Sequence, residues 1–400
     1  MSEEVTTFVA GAATHVGNVR EHNEDAHLVD ADRGSFAVCD GMGGHAAGEV
    51  ASGIAIATVR ERWAGPEVRG AIDRWSKEGT PEARRRLVEA LRASVLAAHA
   101  TIISESEGDL TKRGMGTTFV GAVIAGGDAI FAHAGDSRAY LVRDRIAMQL
   151  TEDHTLLARL AAAGIDVTGQ GEESRWKGVL TNALGIGDRT TVATFVLPLD
   201  PGDRLLFCSD GVTEYVTEKE VGEVLTEQPS PARAAQRLIE IALERGGADN
   251  ATAVVVKVLE VGTTRIPAEK RAKDSEVLAK SAWLGRLSVP QRLRVMKIAL
   301  ERELATDERI PQVSLGDRVA WLVLDGHAHR DGVLLGPGDL IYPESLLPDR
   351  PAIDKDGLAS PAGPIRALAF RRDDFGELTV DDADLAEPLF ASLAKILGKT

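Results

Sequence analysis

The chain predicts an α+β fold in which an antiparallel sheet core is covered by helices, followed by a second, smaller domain. Two observations carry this. Residues 8 to about 260 alternate short β-type runs, separated by glycines and polar turns, with long Ala-rich helical stretches. Hairpin-like pairs of runs mix with blocks of helix, which argues against a doubly wound parallel sheet. The strands expected are Phe8–Thr14, Ala26–Asp30, Ser35–Cys39, Thr117–Ile124, Ala129–Ala134, Ala139–Val142, Arg204–Cys208 and Ala253–Val258. The helices expected are Glu49–Trp63, Pro81–Glu105, Thr155–Ala163, Lys219–Leu225 and Pro231–Arg245. Thr80-Pro81 and Ser230-Pro231 each set a capping hydroxyl before a proline at the first helical position. Gly135-Asp136-Ser137-Arg138 lies between two β runs and reads as a hairpin tip.

A polar, charged stretch at 262–274 reads as a linker, with a second domain over 275–400. That domain opens with helical periodicity at Val277–Trp283. Ser288-Val-Pro-Gln291 then forms a capping box before a helix expected over Leu293–Leu304. Strands are expected at Val319–Leu324, Val333–Leu335 and Ile365–Phe370, and a last helix at Ala383–Leu397.

The 400 residues are 44% apolar and 27% charged, an ordinary globular composition. Aromatics are only 4%, so aliphatic side chains must fill the core. With 61 acidic and 46 basic residues the net charge is −15, which argues against a nucleic-acid partner. The two cysteines, Cys39 and Cys208, are expected as free buried thiols, in keeping with a reducing cytoplasm. No signal peptide and no membrane span is expected from the apolar pattern.

Acidic residues recur beside glycines at strand ends: Arg20-Glu-His-Asn-Glu-Asp25, Asp40-Gly-Met-Gly-Gly44, Gly135-Asp136, Ser209-Asp-Gly211 and Gly247-Ala-Asp-Asn250. One Asp-Gly pair is usually a turn. The same grammar in several places suggests carboxylates converging at one end of a sheet. Glu24, Asp25, Asp40, Asp136, Asp210 and Asp249 are all oxygen donors, and no Cys/His spacing suggests zinc. Hard carboxylates suit Mg²⁺ or Mn²⁺, and such ions activate water against an anionic ester. Arg20 offers a planar fork for two phosphate oxygens.

These motifs, with Gly116-Thr-Thr118, resemble the metal-dependent protein phosphatases of the PPM (type 2C) family, in the order and spacing of its bacterial branch. The resemblance spans roughly residues 8–260. It implies an α-β-β-α sandwich that dephosphorylates phosphoserine and phosphothreonine in proteins such as a Ser/Thr kinase or regulator. It implies that Asp40 bridges two metals and the Gly41 carbonyl completes the first site. Glu24, Asp210 and Asp249 would fill the second, and Asp136 with Asp210 would hold a third ion. Asp25 would orient waters, Asn250 would support the site and Arg20 would bind the phosphate. Met42 stands where many eukaryotic members have a His, so His45 is the candidate general acid here. Thr168–Lys177 resembles the family's mobile substrate flap, and His154 is expected to pack beside the site. A complete ligand set weighs against the alternative of a non-catalytic phosphoprotein-docking module.

The second domain resembles a cyclic-nucleotide-binding-like β-roll with flanking helices, through Val323-Leu-Asp-Gly326 and Leu335-Gly-Pro-Gly-Asp-Leu-Ile-Tyr-Pro-Glu-Ser-Leu-Leu347. Glu344 then matches a ribose-binding Glu and Arg350 a phosphate-binding Arg. Pro343 and Pro351 remove backbone donors that a bound phosphate would use. A degenerate regulatory or docking roll is therefore expected rather than a nucleotide-regulated sensor.

Overall fold

The structure, a computed structural model, describes residues 6–43, 47–162, 176, 178–262, 268–306, 309–314, 317–347 and 359–398. It divides into two compact units, Met1–Arg265 and Ile266–Thr400.

In the first unit the elements run β1 (Thr7–His15), β2 (Asp25–Asp30), β3 (Ser35–Met42), α1 (Ala47–Ala64), α2 (Pro66–Glu78), α3 (Pro81–Gly108), β4 (Gly116–Thr117), β5 (Phe119–Ala125), β6 (Asp128–Ala134), β7 (Arg138–Arg143), β8 (Ile146–Gln149), α4 (Leu156–Ala162), β9 (Ala193–Pro198), β10 (Arg204–Cys208), α5 (Asp210–Thr213), α6 (Glu218–Glu227), α7 (Pro231–Glu244) and β11 (Ala251–Glu260). One sheet has the order β1-β11-β10-β7-β8; the other is β2-β3-β5-β6-β9, with β4 paired to β3. All pairings are antiparallel.

The two sheets face each other across aromatic rings. Phe207 of β10 stacks on Phe36 of β3 at 6.5 Å and on Phe131 of β6 at 5.7 Å between ring centroids. Ala37 and Cys39, the alternate residues of β3, instead pack with Ala51, Val59, Leu91 and Val95 of α1 and α3. On the other side Leu206 and Cys208 of β10 pack with Val221, Leu225, Ala235 and Leu238 of α6 and α7. Four layers result, helix–sheet–sheet–helix. Central strands are buried on both faces, so they read as unbroken apolar runs. Both cysteines are free and buried. The predicted caps at Thr80 and Ser230 form, each hydroxyl accepting from the third residue of its helix.

In this unit two expectations are corrected and one helix is added. Residues 135–138 are not a hairpin tip, because β6 and β7 lie in different sheets and the chain crosses between them there. The helix α2 is an addition to the expected elements: Pro66 stands at its start and Val68, Ile72 and Trp75 recur at helical spacing on its buried face. Within α3, Glu82–Gly108 is by length and composition apolar enough to cross a membrane, contrary to the expected absence of such a stretch. Its Leu87, Leu91, Val95 and Ile102 are buried in the core of this unit.

In the second unit the elements are α8 (Ala268–Lys280), α9 (Val289–Met296), β12 (Leu300–Leu304), β13 (Val313–Ser314), β14 (Asp317–Asp325), β15 (Ala328–Arg330), β16 (Val333–Leu335), β17 (Leu340–Ile341), β18 (Ser360–Pro361), β19 (Ile365–Arg371), α10 (Arg372–Asp381) and α11 (Ala383–Leu397). One sheet has the order β12-β19-β14-β13 with β17 on β14, and a second has β16-β15-β18. Alternate residues of β14 serve two cores. Ala320, Leu322 and Leu324 pack with the helices, whereas Val319, Trp321 and Val323 pack with Ile341 and Tyr342. The predicted linker is partly helical, since α8 begins at 268. The helix expected over 293–304 ends at Met296, and Leu300–Leu304 pairs antiparallel with β19 instead.

Candidate active site

Strand ends build the site. Glu24 and Asp25 enter β2, while Asp40 and Gly41 leave β3, and Asp25 is the register partner of Asp40. Asp210 follows β10 as the first residue of α5. Asp249 and Asn250 precede β11, and Asp136 sits at the crossing from β6 to β7. Antiparallel pairing within each sheet brings all of these to one end of the sandwich.

Glycines let the pieces touch. A Cβ on Gly41 would stand 2.2 Å from the Gly48 carbonyl and 2.5 Å from that of Glu24. A Cβ on Gly48 would stand 2.7 Å from the Glu24 carboxyl carbon. A Cβ on Gly211 would meet the Asn250 carbonyl at 1.9 Å. Only glycine fits at these three places.

Hydrogen bonds then fix the backbone. Asn250 Oδ1 accepts from Glu24 N–H at 2.8 Å, and its Nδ2 donates to the carbonyls of Val16 and His22 at 2.8 and 2.9 Å. Asn250 thus staples the Glu24 loop to β11. The Asp40 carbonyl accepts from Thr118 N–H at 2.9 Å and Thr117 Oγ1 at 2.8 Å, and Asp40 N–H donates to Thr118 Oγ1 at 2.9 Å. Ser52 Oγ donates to the Glu24 carbonyl at 2.6 Å. Ser209 Oγ donates to Asp25 Oδ2 at 2.8 Å and accepts from Thr252 N–H at 3.0 Å.

The acids so gathered disfavour one another's charge. Asp25 is pushed up to about 7, first by burial and then by the charges of Asp210 and Asp249. Asp40 is driven well above the usual carboxylate range by burial and by Asp25, Asp210 and Asp136. Asp136 is pushed up to about 7 by burial and by Asp210 and Asp153. Asp210 is raised chiefly by burial. Asp25 Oδ1 and Asp210 Oδ1 are buried without a hydrogen-bond partner. Orphaned oxygens and crowded carboxylates are what a hard cation would satisfy. The ligands are gathered rather than closed on one point: among the described residues no set of three His, Cys, Asp or Glu side chains already forms a cage.

Arg20 is half exposed at the rim, and its Nη2 donates to Asp249 Oδ2 at 2.7 Å. His154 does lie beside the site, its Nδ1 accepting from Gly135 N–H at 3.0 Å. His45 lies outside the described residues, as does Thr168–Lys177 apart from Trp176. Sequence reasoning missed Ser209 and Ser52 as supports and gave Thr117 and Thr118 no role. Only Ser209, directly before Asp210, carried a local signal; Ser52, Thr117 and Thr118 stand more than ten residues from the acid of any such cluster.

In the second unit Glu344 is held by an internal partner. Arg330 Nη2 donates to its Oε1 at 2.8 Å, and the guanidinium lies 4.9 Å from the centre of the Tyr342 ring. Arg350 lies outside the described residues.

Residues 9–251 match the family model described as protein phosphatase 2C. The chain is 35% identical over 248 residues to serine/threonine phosphatase stp of Listeria monocytogenes, covering 61% of this chain and 93% of that one. It is 33% identical over 286 residues to serine/threonine protein phosphatase PstP of Mycobacterium tuberculosis, covering 70% of this chain and 52% of that one. The fold matches the crystal structure of the Mycobacterium tuberculosis phosphatase PstP/Ppp with a TM-score of 0.54 at 32% identity, over 64% of this chain and all of that one. A catalytic domain of PstP in complex with two manganese ions matches with a TM-score of 0.53 at 34% identity, over 64% of this chain and all of that one. The chain belongs to the protein phosphatase 2C family. It is an enzyme of that class, a protein serine/threonine phosphatase.

Proposed function

We propose that the first unit hydrolyses phosphoserine and phosphothreonine esters in proteins by direct attack of water, using two Mn²⁺ or Mg²⁺ ions. The observation that carries this is the crowd of carboxylates, with orphaned oxygens on Asp25 and Asp210, beside an exposed arginine. Glu24, Asp40, the Gly41 carbonyl, Asp210 and Asp249 would hold the two ions, and Asp136 with Asp210 a third. When bound, such ions supply water activation and neutralise the anionic substrate. Asp40 is kept in place by the Thr117–Thr118 backbone and hydroxyls. Asp25, anchored by Ser209, orients attacking water. Arg20 clamps the substrate phosphate. Its fork has five donors, and one bond to Asp249 leaves others to meet a phosphate. His45 is the candidate proton donor to the leaving oxygen.

The second unit is read as a regulatory or docking domain of cyclic-nucleotide-binding-like type that binds no nucleotide. The Arg330 pairing of Glu344 supports this, because it occupies the carboxylate a ribose would need. Substrates would be phosphorylated kinases or regulators in the same cytoplasm. Turnover of a phosphothreonine peptide against Mn²⁺ concentration, with Asp40→Asn alongside, tests the reading. Metal-dependent release of phosphate by the wild type, lost in the variant, is expected. Equal turnover by both would end it.

A further inference from the structure

We propose that Asp153 and His154 are positioning residues that fix Asp136 in the orientation in which it takes a divalent cation. This rests on the metal role proposed for Asp136. The crossing Gly135-Asp136-Ser137-Arg138 is tied on both sides of the acid. Gly135 is held at both backbone polar groups by one residue: its N–H donates to His154 Nδ1 at 3.0 Å, and its carbonyl accepts from His154 N–H at 2.9 Å. A backbone amide can only donate, so Nδ1 must be the bare nitrogen of a neutral ring. The imidazole is itself wedged, 4.7 Å from the His133 ring on β6 and 2.9 Å from Asn182 Nδ2. At the other end Asp153 takes the Arg138 fork, Oδ1 with Nε at 2.9 Å and Oδ2 with Nη2 at 2.6 Å.

Neighbouring residues therefore grip both ends of the crossing from one short segment before α4. Between them Ser137 Oγ lies 2.7 Å from Thr118 Oγ1, the same hydroxyl that accepts from Asp40 N–H. Gly135 has φ +112°, and a Cβ there would meet Thr118 Cβ at 2.6 Å, so the backbone path is forced. Three of the four residues are thus immobilised around Asp136. A ligand held in advance loses little freedom when the ion arrives, and outer partners of this kind set metal affinity.

The test is Mn²⁺ titration of the full chain by calorimetry without substrate, together with the Mn²⁺ dependence of phosphothreonine-peptide hydrolysis and a thermal melt. Asp136→Asn should weaken one Mn²⁺-binding step. His154→Ala should weaken the same step by about 10-fold or more. His154→Asn, whose Oδ1 can accept from Gly135 N–H, should restore most of it. Asp153→Asn, which loses the charged clasp on Arg138, should fall between. If His154→Ala and Asp153→Asn melt lower but bind Mn²⁺ as the wild type does, while Asp136→Asn weakens a step, the two residues are merely structural and the inference is overturned. If Asp136→Asn weakens no step, the metal reading of Asp136 fails instead. Should His154→Ala not melt cooperatively, Asp153→Asn decides by the same criteria.

Discussion

The two units treat sheltered acids in opposite ways. In the second unit Glu344 faces Arg330 at 2.8 Å, Asp274 faces Arg366, and Asp382 faces Arg294 at 3.3 Å. In the first unit Asp25, Asp40 and Asp210 have no Arg or Lys at ion-pair distance among the described residues, and each is raised by burial and by other acids. The first unit can pair an acid when position allows: Asp203, 1% exposed, receives Arg143 Nη2 at 2.7 Å at the other end of the strand that leads to Asp210. Pairing cancels charge and fixes structure. Crowding without pairing stores a demand for positive charge, and a protein retains it where that demand is used.

The largest effect expected from breaking this contrast is chemical. Asp40→Asn or Asp210→Asn should cut Mn²⁺-dependent hydrolysis by roughly 10²–10³-fold or more, read by phosphate release from a phosphothreonine peptide. In EDTA the same variants should melt no lower than the wild type, because Asn replaces an acid whose charged form burial and the neighbouring acids disfavour. A lower melt in EDTA would show that these acids stabilise the fold and would erase the contrast.

The next effect is on pH dependence in EDTA. Asp25 and Asp136 are raised to about 7 in the folded chain, against about 3.9 when unfolded. The folded state then holds these protons more tightly. The contribution of each acid is fully present below about pH 4 and is lost as pH rises to 7. Denaturant melts in EDTA should lose up to about 1.4 kcal/mol per pH unit for each such acid across that window. Saturating Mn²⁺ should flatten the slope. A metal-free stability that climbs from pH 5 to 7 would contradict the crowded-acid description.

Much of this site was legible because its signal is local. An apolar run followed by Asp-Gly names a strand end and its acid together, so Asp40 and Asp210 could be placed without knowing the sheets. What failed was non-local. An apolar run on either side of Gly135-Asp136-Ser137-Arg138 looks the same whether the chain turns back or crosses to another sheet, and only pairing with β9 and β10 decides. Leu300–Leu304 carries good helix formers yet becomes β12, because β19 offers it a ladder. The clamp on Asp136 was hidden for the same reason. His154 was expected beside the site, but its grip on Gly135, and that of Asp153 on Arg138, show only once the crossing brings those residues to them.

Smaller effects should come from the paired acids. Glu344→Gln leaves Arg330, 19% exposed in its side chain, with only the largely exposed Asp331 carboxylate, 3.5 Å from its Nε, as a charged partner. A loss of about 2–4 kcal/mol is expected, read from denaturant unfolding of the full chain by tryptophan fluorescence. Replacing both partners with apolar residues, Arg330→Met with Glu344→Leu, should recover much of that loss, because it removes the stranded charge as well as the pair. If the double variant is no better than Glu344→Gln, Glu344 contributes something beyond charge balance, and a ligand role for it regains ground. The smallest effect belongs to Lys273 and Asp325, paired at 3.2 Å with both side chains more than half exposed. Lys273→Ala should cost less than about 0.5 kcal/mol, since water already solvates each charge. The gradient from Glu344 to Lys273 within one unit would show that burial, rather than the mere presence of an ion pair, sets what an acid is worth. The same rule makes the unpaired acids of the first unit costly enough to require a purpose.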